Sequence, residues 1–447
     1  MALAAVATVR NYDLFWHLAA GRWIVEHRAL PLSDPFAVAS DRHEWVNGEW
    51  LFEVAAWGAT RVVSIEGLSW LRGLLAASVF TATFVLARRV TDPRNAFLLS
   101  AVAFAGASPT LDFRPSSFAL LFVVASLSVR SPIAHAIVSL LWINIHPSAL
   151  LAPGIAALST RRVIPVVASA LALLVNPHGI EAILSPLRLM SYVSSGTFVN
   201  AEWLPSRVTQ FPLVYLCIGA AAVVFIVRRA EWWRVLLFAG FTYLAIRHVR
   251  NQGLFFAAFP LLVAPLLPEL SPRFRRIVAA AGVAAIALVA ITTDHRTGVA
   301  PERFPERAVA RLRETGLQGN IYNPDQYGGY LIWTFYPEKR VLTDGRNELY
   351  RTYIPEYAAA RNDQRAWRAL LQKYAIDLAV DEYRSPLDVR DAATGRQSSM
   401  PASLAYWPRD EWALIAYDEA AMVFARRAAF QPEVLAQWEL RGVVPDR

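Results

Sequence analysis

Cysteine is nearly absent from this chain: among 447 residues the only one is Cys217, inside an apolar run. A lone thiol excludes an intrachain disulfide and a cysteine-based metal site. A phosphate loop is missing too, because the Gly328-Gly329 pair lacks G-x-x-x-x-G-K spacing. Charge is sparse over a long stretch. From about residue 68 to 270 it comes only in short clusters between apolar runs. No ordinary signal peptide opens the sequence. Residues 1–10 are apolar, but only about nine residues long where a membrane span needs about 20. The expectation is that the start has been truncated.

What is present is apolar. Hydrophobic residues make up 55% of the chain, more than a soluble protein of this length normally carries. Fifteen tryptophans suit a protein with two water–lipid interfaces. After Asp294 charges become frequent and mixed with polar residues, which marks the passage from a membrane part to a soluble part. The net charge is +8. Its excess sits in clusters such as Arg88-Arg89, Arg161-Arg162, Arg228-Arg229 and Arg273 to Arg276. It therefore reads as membrane topology, not as a nucleic-acid footprint.

The apolar runs at 68–87, 96–108, 116–129, 133–145, 149–158, 163–175, 211–227, 232–246, 254–267 and 277–292 are candidate spans. Several are short and imply tilted or incomplete crossings. The stretch 50–65 reads as a span or an interfacial helix, interrupted by Glu53 and Arg61. With the arginine pairs on the cytoplasmic side, parity requires a first crossing at residues 1–10. The external regions are then 11–50, the turns near Arg114, His146 and Arg247, the long loop 176–210, and everything after Asp294. Arg114, Arg247 and Arg250 fall on the external side against the charge rule. They are either functional or snorkelling at the interface.

The first external segment, D-L-F-W-H-L-A-A-G-R-W-I, has the spacing of an amphipathic helix on the membrane surface. Asp13 and His17 are four apart and share a helical face. On spacing alone they read as a hydrogen-bonded structural pair; the chemical alternatives are a base or a metal holder. Glu49 and Glu53 share a face in W-V-N-G-E-W-L-F-E, where capping and interface anchoring are the plain reading. Further polar groups end spans externally: Arg114 in F-R-P, His146 in N-I-H-P, His178 in N-P-H-G, Glu202 in A-E-W-L-P, and Arg247 and Arg250 in R-H-V-R-N. Acids, histidines and arginines on one face are the composition of a pocket that holds a phosphate and activates a hydroxyl.

These segments resemble, in the same order, the recurring motifs of a bacterial family of multi-spanning proteins of the glycosyltransferase C-type superfamily. The resemblance is carried by D-L-F-W-H-L-A-A-G-R-W-I, D-P-F, W-V-N-G-E-W-L, F-R-P-S-S-F, W-I-N-I-H-P, L-V-N-P-H-G-I, A-E-W-L-P, R-N-Q-G-L-F-F-A-A-F-P, and G-G-Y-L-I-W-T-F-Y-P-E-K-R-V-L-T-D-G-R over 328–346. It covers roughly residues 11–377. It implies a polytopic α-helical membrane protein of the bacterial inner membrane, with a GT-C-like helix bundle over 1–293. The first external loop, 11–50, carries the amphipathic helix, and 294–447 forms a small soluble extracytoplasmic α/β domain. It implies a glycosyltransferase that moves a sugar from a polyprenyl-phosphate-linked donor, among membrane lipids, to a lipid, polysaccharide or protein acceptor. Asp13 matches the family's acidic residue that acts as base or positions the acceptor. Arg247 or Arg250 then binds the donor phosphate. Some relatives need a divalent metal, Mg or Mn, and others do not; no cluster with metal-ligand spacing decides it. A flippase or transporter of lipid-linked saccharides and a polysaccharide polymerase or ligase are the competing classes. A transporter calls for polar helices at the bilayer midplane and an internal repeat, whereas here the polar motifs gather at one interface.

In the C-terminal part, 321–322, 340–342 and 376–380 read as strands, 365–374 as an amphipathic helix, and 412–417 with 421–425 as a hairpin. Y-N-P-D-Q-Y-G-G-Y with T-D-G-R reads as turn chemistry, or as a saccharide-contacting surface using Asp344 and Arg346.

Overall fold

The structure, a computed structural model, describes residues 1–41, 45–194, 201–390 and 397–446. It divides into two compact units. One comprises Met1–Asn11 with Val46–Gly298, the other Tyr12–Trp45 with Val299–Arg447.

The first unit is helical, and each of the ten apolar runs forms helix. The longest helix is Trp50–Ala87, broken at Ser64, whose φ of 58° and ψ of −176° leave the helical region. The stretch 50–65 thus joins the run at 68–87 in one kinked element. Proline opens Pro93–Ala107, Pro115–Ser128, Pro132–Ile143, Pro212–Val227 and Pro272–Thr292. Its fixed φ and missing N–H suit the first helical position. Among the described residues only Trp50–Ala87, Val249–Leu266 and Pro272–Thr292 are long and apolar enough to cross a membrane. Pro115–Ser128, Pro132–Ile143, Pro147–Thr160, Val163–Ala172 and Pro212–Val227 are apolar but shorter. Several of the ten candidate spans are thus helices shorter than a full crossing. The long segment 176–210 is not all loop: it holds the helix Glu181–Ser194, while its residues 195–200 lie outside the described residues.

Helix Gln252–Val263 lies at the centre of this unit and is buried along nearly its whole length. Phe80 packs edge-on against Phe104, and Phe255 against Phe256, all fully buried. The outer surface is apolar as well. Ile164, Leu171, Leu216, Ile226, Leu288 and Ile291 are exposed, and an apolar surface this extensive marks an interaction face.

The second unit has a four-stranded sheet. Strand β1 is Asn320–Tyr322, β2 is Ile376–Glu382, β3 and β4 are Leu387–Arg390 and Gln397–Met400, β5 is Trp412–Tyr417 and β6 is Ala421–Arg426. The order is β1-β2-β6-β5, with β1 and β2 parallel and the other pairs antiparallel. Leu378, Ala379 and Val380 of β2 are fully buried, the continuous run expected of a central strand covered on both faces. The hairpin β5–β6 and the helix Gln364–Lys373 stand where the sequence places them. The helix is capped by Asp363, which accepts from the N–H groups of Arg365 and Ala366. Residues 340–342 do not form a strand. Val341 makes isolated parallel bridges to Ile321 and Ala37.

The segment Tyr12–Trp45 folds with the C-terminal part, not with the helices that flank it in sequence. Trp16, Ala19, Ala20, Phe36, Ala37 and Trp45 join the apolar core of that unit. Val38 and Ala39 donate backbone bonds to Val341 and Leu342 at 2.9 and 3.1 Å. The boundary near 293 marks a composition change, but the compact unit also takes in residues far earlier in the chain. The expectation of an amphipathic surface helix is corrected here. Helix Leu14–His27 is buried at every position from Leu14 to Gly21, because it packs on helix Asp325–Phe335. A Cβ at Gly329 would press on the Tyr12 carbonyl and the Trp16 N–H, so glycine permits the close approach.

Asp418 closes the β5–β6 hairpin. Its carboxylate accepts from the N–H groups of Ala420, Ala421 and Ala308, each at 2.9 Å. Asp418→Ala leaves these donors unmatched in a buried turn and is expected to lower the stability of this unit by about 2–4 kcal/mol. Denaturant unfolding of the full chain in detergent micelles, followed by tryptophan fluorescence, measures it.

Candidate active site

In the helical unit, polar residues gather where helices end. The 3-10 turn Ala201–Trp203 is held by the turn Val249–Asn251. Val249 N–H donates to the Leu204 carbonyl at 3.0 Å, and His248 Nδ1 lies 2.6 Å from the Trp203 carbonyl. Ser206 Oγ donates to the Ala245 carbonyl at 2.6 Å and accepts from Gln252 Nε2 at 2.7 Å. These bonds bring A-E-W-L-P and R-H-V-R-N together, and with them Glu202 and Arg250. The Arg250 guanidinium lies 4.7 Å from the centre of the Trp203 ring. Arg114, at the N-cap of Pro115–Ser128, donates from Nη1 to Glu202 Oε1 at 2.6 Å. Burial alone would raise the Glu202 carboxyl; Arg114 and Arg250 outweigh it and hold the group below its ordinary range. The neighbouring Asp112 carboxyl is pushed up by burial, against the pull of Arg72 and Arg114.

His146 belongs to the same electrostatic cluster. It caps the turn Pro147–Leu151: Ser148 N–H and Ser148 Oγ converge on Nδ1 at 3.1 and 2.7 Å. A ring nitrogen that accepts a backbone N–H carries no proton, so the neutral ring has its proton on Nε2. Burial foremost, then Arg250 and Arg114, hold the imidazole well below its usual value. Glu49 Oε1 lies 3.8 Å from Nε2, beyond hydrogen-bond reach. Glu49 precedes Trp50–Ala87, and its N–H donates to Asn47 Oδ1 at 3.2 Å. Asn47 in turn donates to the buried Glu53 at 2.6 Å.

Of the residues singled out from sequence, Glu49, Arg114, His146, Glu202 and Arg250 therefore come together. Arg247 ends its helix exposed and makes none of these contacts. His178 stands in the turn 176–179, its N–H donating to Asn176 Oδ1 at 2.8 Å. Sequence reasoning passed over Arg72 and Asp112. An arginine inside an apolar run was the available signal for the first, and for the second an acid two residues before Arg114.

Asp13 and His17 belong to the other unit. Asp13 is the N-cap residue of Leu14–His27, and its Oδ1 accepts from Trp16 Nε1 at 3.3 Å. The His17 ring is buried and lies 3.6 Å from the Trp16 ring, centre to centre. Close by is a buried ionic network. Arg346 donates from Nε and Nη2 to Asp344, and from Nη2 to Asp34 Oδ1 at 2.9 Å. Tyr350 Oη donates to Asp344 at 2.6 Å. Asp34 also accepts the N–H groups of Phe36 and Ala37. Trp16, Phe36 and Trp45 surround the guanidinium. Asp344 and Arg346 are at most 2% exposed, so they do not form a saccharide-contacting surface. The turn reading of this stretch stands: buried Asn323 donates to the Thr343 carbonyl and accepts Leu342 N–H.

Among the described residues no group of three or more His, Cys, Asp or Glu side chains forms a metal-ligand set.

No family model and no curated protein sequence matches the chain. Solved structures of an archaeal oligosaccharyltransferase from Archaeoglobus fulgidus share its fold at 11% sequence identity. The apo form aligns with a TM-score of 0.58 over 90% of this chain and 71% of that one. The enzyme, AglB, in complex with an inhibitory peptide and a dolichol-phosphate gives 0.55 over 89% and 71%. A complex with Zn and sulfate gives 0.55 over 90% and 70%.

The His146 geometry fixes a sign for pH dependence. The ring stays neutral in the folded chain, whereas the unfolded ring takes a proton below about pH 6.5. The unfolded state then binds more protons, so stability falls as pH drops below that point. His146→Asn keeps an N-cap acceptor without a titrating ring. It is expected to flatten this fall between about pH 6.5 and 5, read from thermal unfolding of the full chain at each pH.

Proposed function

We propose that the chain is a multi-pass membrane glycosyltransferase of the GT-C type, moving a sugar from a polyprenyl-phosphate-linked donor to an extracytoplasmic acceptor. The carrying observation is the pair of guanidiniums, Arg114 and Arg250, gathered around Glu202 at the helix ends of a chain with an oligosaccharyltransferase fold. The exposed apolar faces of the helical unit supply the lipid-facing surface, and the arginine pairs orient the chain with its C-terminal unit outside.

In this reading a donor phosphate competes with Glu202 for the two arginines. Guanidinium suits a phosphate through its bidentate fork. As the sugar is transferred, the bond from its anomeric carbon to the phosphate oxygen breaks and a bond to the acceptor oxygen forms. The electron pair left on the phosphate is stabilised by cations already in place. Asp13 takes the acceptor's proton, the role that the sequence resemblance assigns to it.

Transfer from a panel of polyprenyl-phosphate-linked hexoses by the chain reconstituted in liposomes tests the reading. Asp13→Asn is expected to lower turnover by about 10²–10⁴. Arg250→Ala is expected to lower it by about 10²–10³ and to raise the KM for the donor. Undiminished transfer by Asp13→Asn would remove Asp13 from the reaction, and undiminished transfer by both variants would sink the assignment.

A further inference from the structure

Helix Pro115–Ser128 begins at Arg114 and ends two residues before Arg130. Helix Trp232–Arg247 runs from Glu231 to the turn that holds Arg250. The Glu202 cluster takes one end of each helix, and a second group of charges takes the other end. There Ala152–Thr160 packs on both helices. Arg130 donates from Nη1 to the Ser159 carbonyl at 2.9 Å, and Arg234 from Nη1 to the Leu262 carbonyl at 3.2 Å. Both are carbonyls of a last helical turn, which lack a partner inside their own helix. Two cations lie over the Trp233 ring: Arg234 at 4.5 Å and Arg161 at 5.8 Å from its centre. Arg130 is near enough to Arg234 to repel it, and Arg162 is exposed beside Arg161. The balancing negative charge is thin. Glu231 stands 3.6 Å from Arg161 Nη1 and 3.6 Å from Arg234 Nη2. Both distances are longer than a hydrogen bond, and the carboxylate is half-exposed, so water screens the attraction.

Buried donors are unmatched at the same place. Arg234 Nε, Trp233 Nε1 and Ser159 Oγ are out of water and have no hydrogen-bond partner. A buried donor left so is costly and calls for an acceptor. Alongside, the surface is apolar: Val163, Ile164 and Trp232 are exposed at the starts of neighbouring helices. Charge bias across a membrane accounts for arginines on this side. It does not require a tryptophan beneath two of them, or donors without acceptors. We propose that Arg161, Trp233 and Arg234 form the seat of an anionic phospholipid headgroup, whose phosphate replaces the Glu231 carboxylate between the two guanidiniums. The acyl chains then lie along Val163, Ile164 and Trp232. A guanidinium fork matches phosphate oxygens, and basic pockets between spans on the cytoplasmic side suit anionic headgroups. The inference rests on the membrane part of the reading above and uses none of its transfer chemistry.

The full chain in detergent, given equal amounts of phosphatidylglycerol and phosphatidylcholine, tests this, with the lipid retained per chain read by native mass spectrometry. Phosphatidylglycerol is expected to be retained in preference. Arg161→Gln changes an exposed side chain and is expected to lower that preference about fivefold; Arg234→Gln is expected to lower it at least as far. Glu231→Gln removes the competing carboxylate and is expected to raise it. Arg88→Gln, from another of the arginine pairs, is expected to leave it unchanged. If Arg234→Gln does not fold, Arg161→Gln decides. No preference in the unaltered chain, or equal losses from Arg161→Gln and Arg88→Gln, overturns the site. Displacement of phosphatidylglycerol by glycerol phosphate at the same concentration means that a free phosphate is what binds, and overturns the lipid assignment. A chain that stays in solution without detergent overturns the membrane reading and this inference together. A chain that needs detergent and shows no preference overturns this inference alone.

Discussion

A buried guanidinium is costly unless its charge is matched, and the second unit of this protein is organised around one. Arg346 is out of water, and moving an ion there costs several kcal/mol even after relaxation. Two carboxylates and three aromatic rings offset that cost. One of the carboxylates, Asp34, is 312 residues away in sequence, and the rings of Trp16, Phe36 and Trp45 come from the same early segment. The ion pair therefore joins two distant pieces of chain into one core. Removing either acid would leave a buried charge unmatched, a loss on the order of 3–5 kcal/mol, and residues 12–45 would lose their anchor on the 343–346 turn.

That constraint explains why four short motifs are polar in places where the surrounding segment is apolar. D-P-F supplies Asp34 and the Phe36 ring; T-D-G-R supplies Asp344, the close-packed Gly345 and Arg346. Trp45 of W-V-N-G-E-W-L closes over the guanidinium, and Trp16 of D-L-F-W-H both faces it and donates to Asp13. Their shared job is to hold a helix N-terminus in place. Asp13, at that N-terminus, is half-buried.

The helical unit obeys a different rule. Its core and outer surface are largely apolar, and the charged groups gathered in it sit where the backbone leaves a helix and carbonyl and N–H groups need partners. Arg114, His146, Glu202 and Arg250 all sit at such ends. Their surroundings set their charge states: the glutamate is kept ionised by two arginines, and the histidine is kept neutral by burial first and then by Arg250 and Arg114.

The helices of the first unit were legible from apolar run length, and β2, the β5–β6 hairpin and the Gln364–Lys373 helix from local pattern and turn residues. Each depends on contacts within a few residues, which periodicity encodes. The grouping of Arg114, His146, Glu202 and Arg250 was legible more coarsely, through the alternation of spans, because that alternation brings successive helix ends to one level. Arg247 shares that level, but which way its side chain turns is not encoded by span parity. Nor was the burial of Leu14–Gly21 legible, since apolar spacing reports one buried face and says nothing of a second neighbour. The pairing of Asp34 with Arg346 was beyond local reading altogether. No pattern in either segment names a partner more than 300 residues away, and only the packed tertiary structure, by taking water from both charges at once, made them a pair.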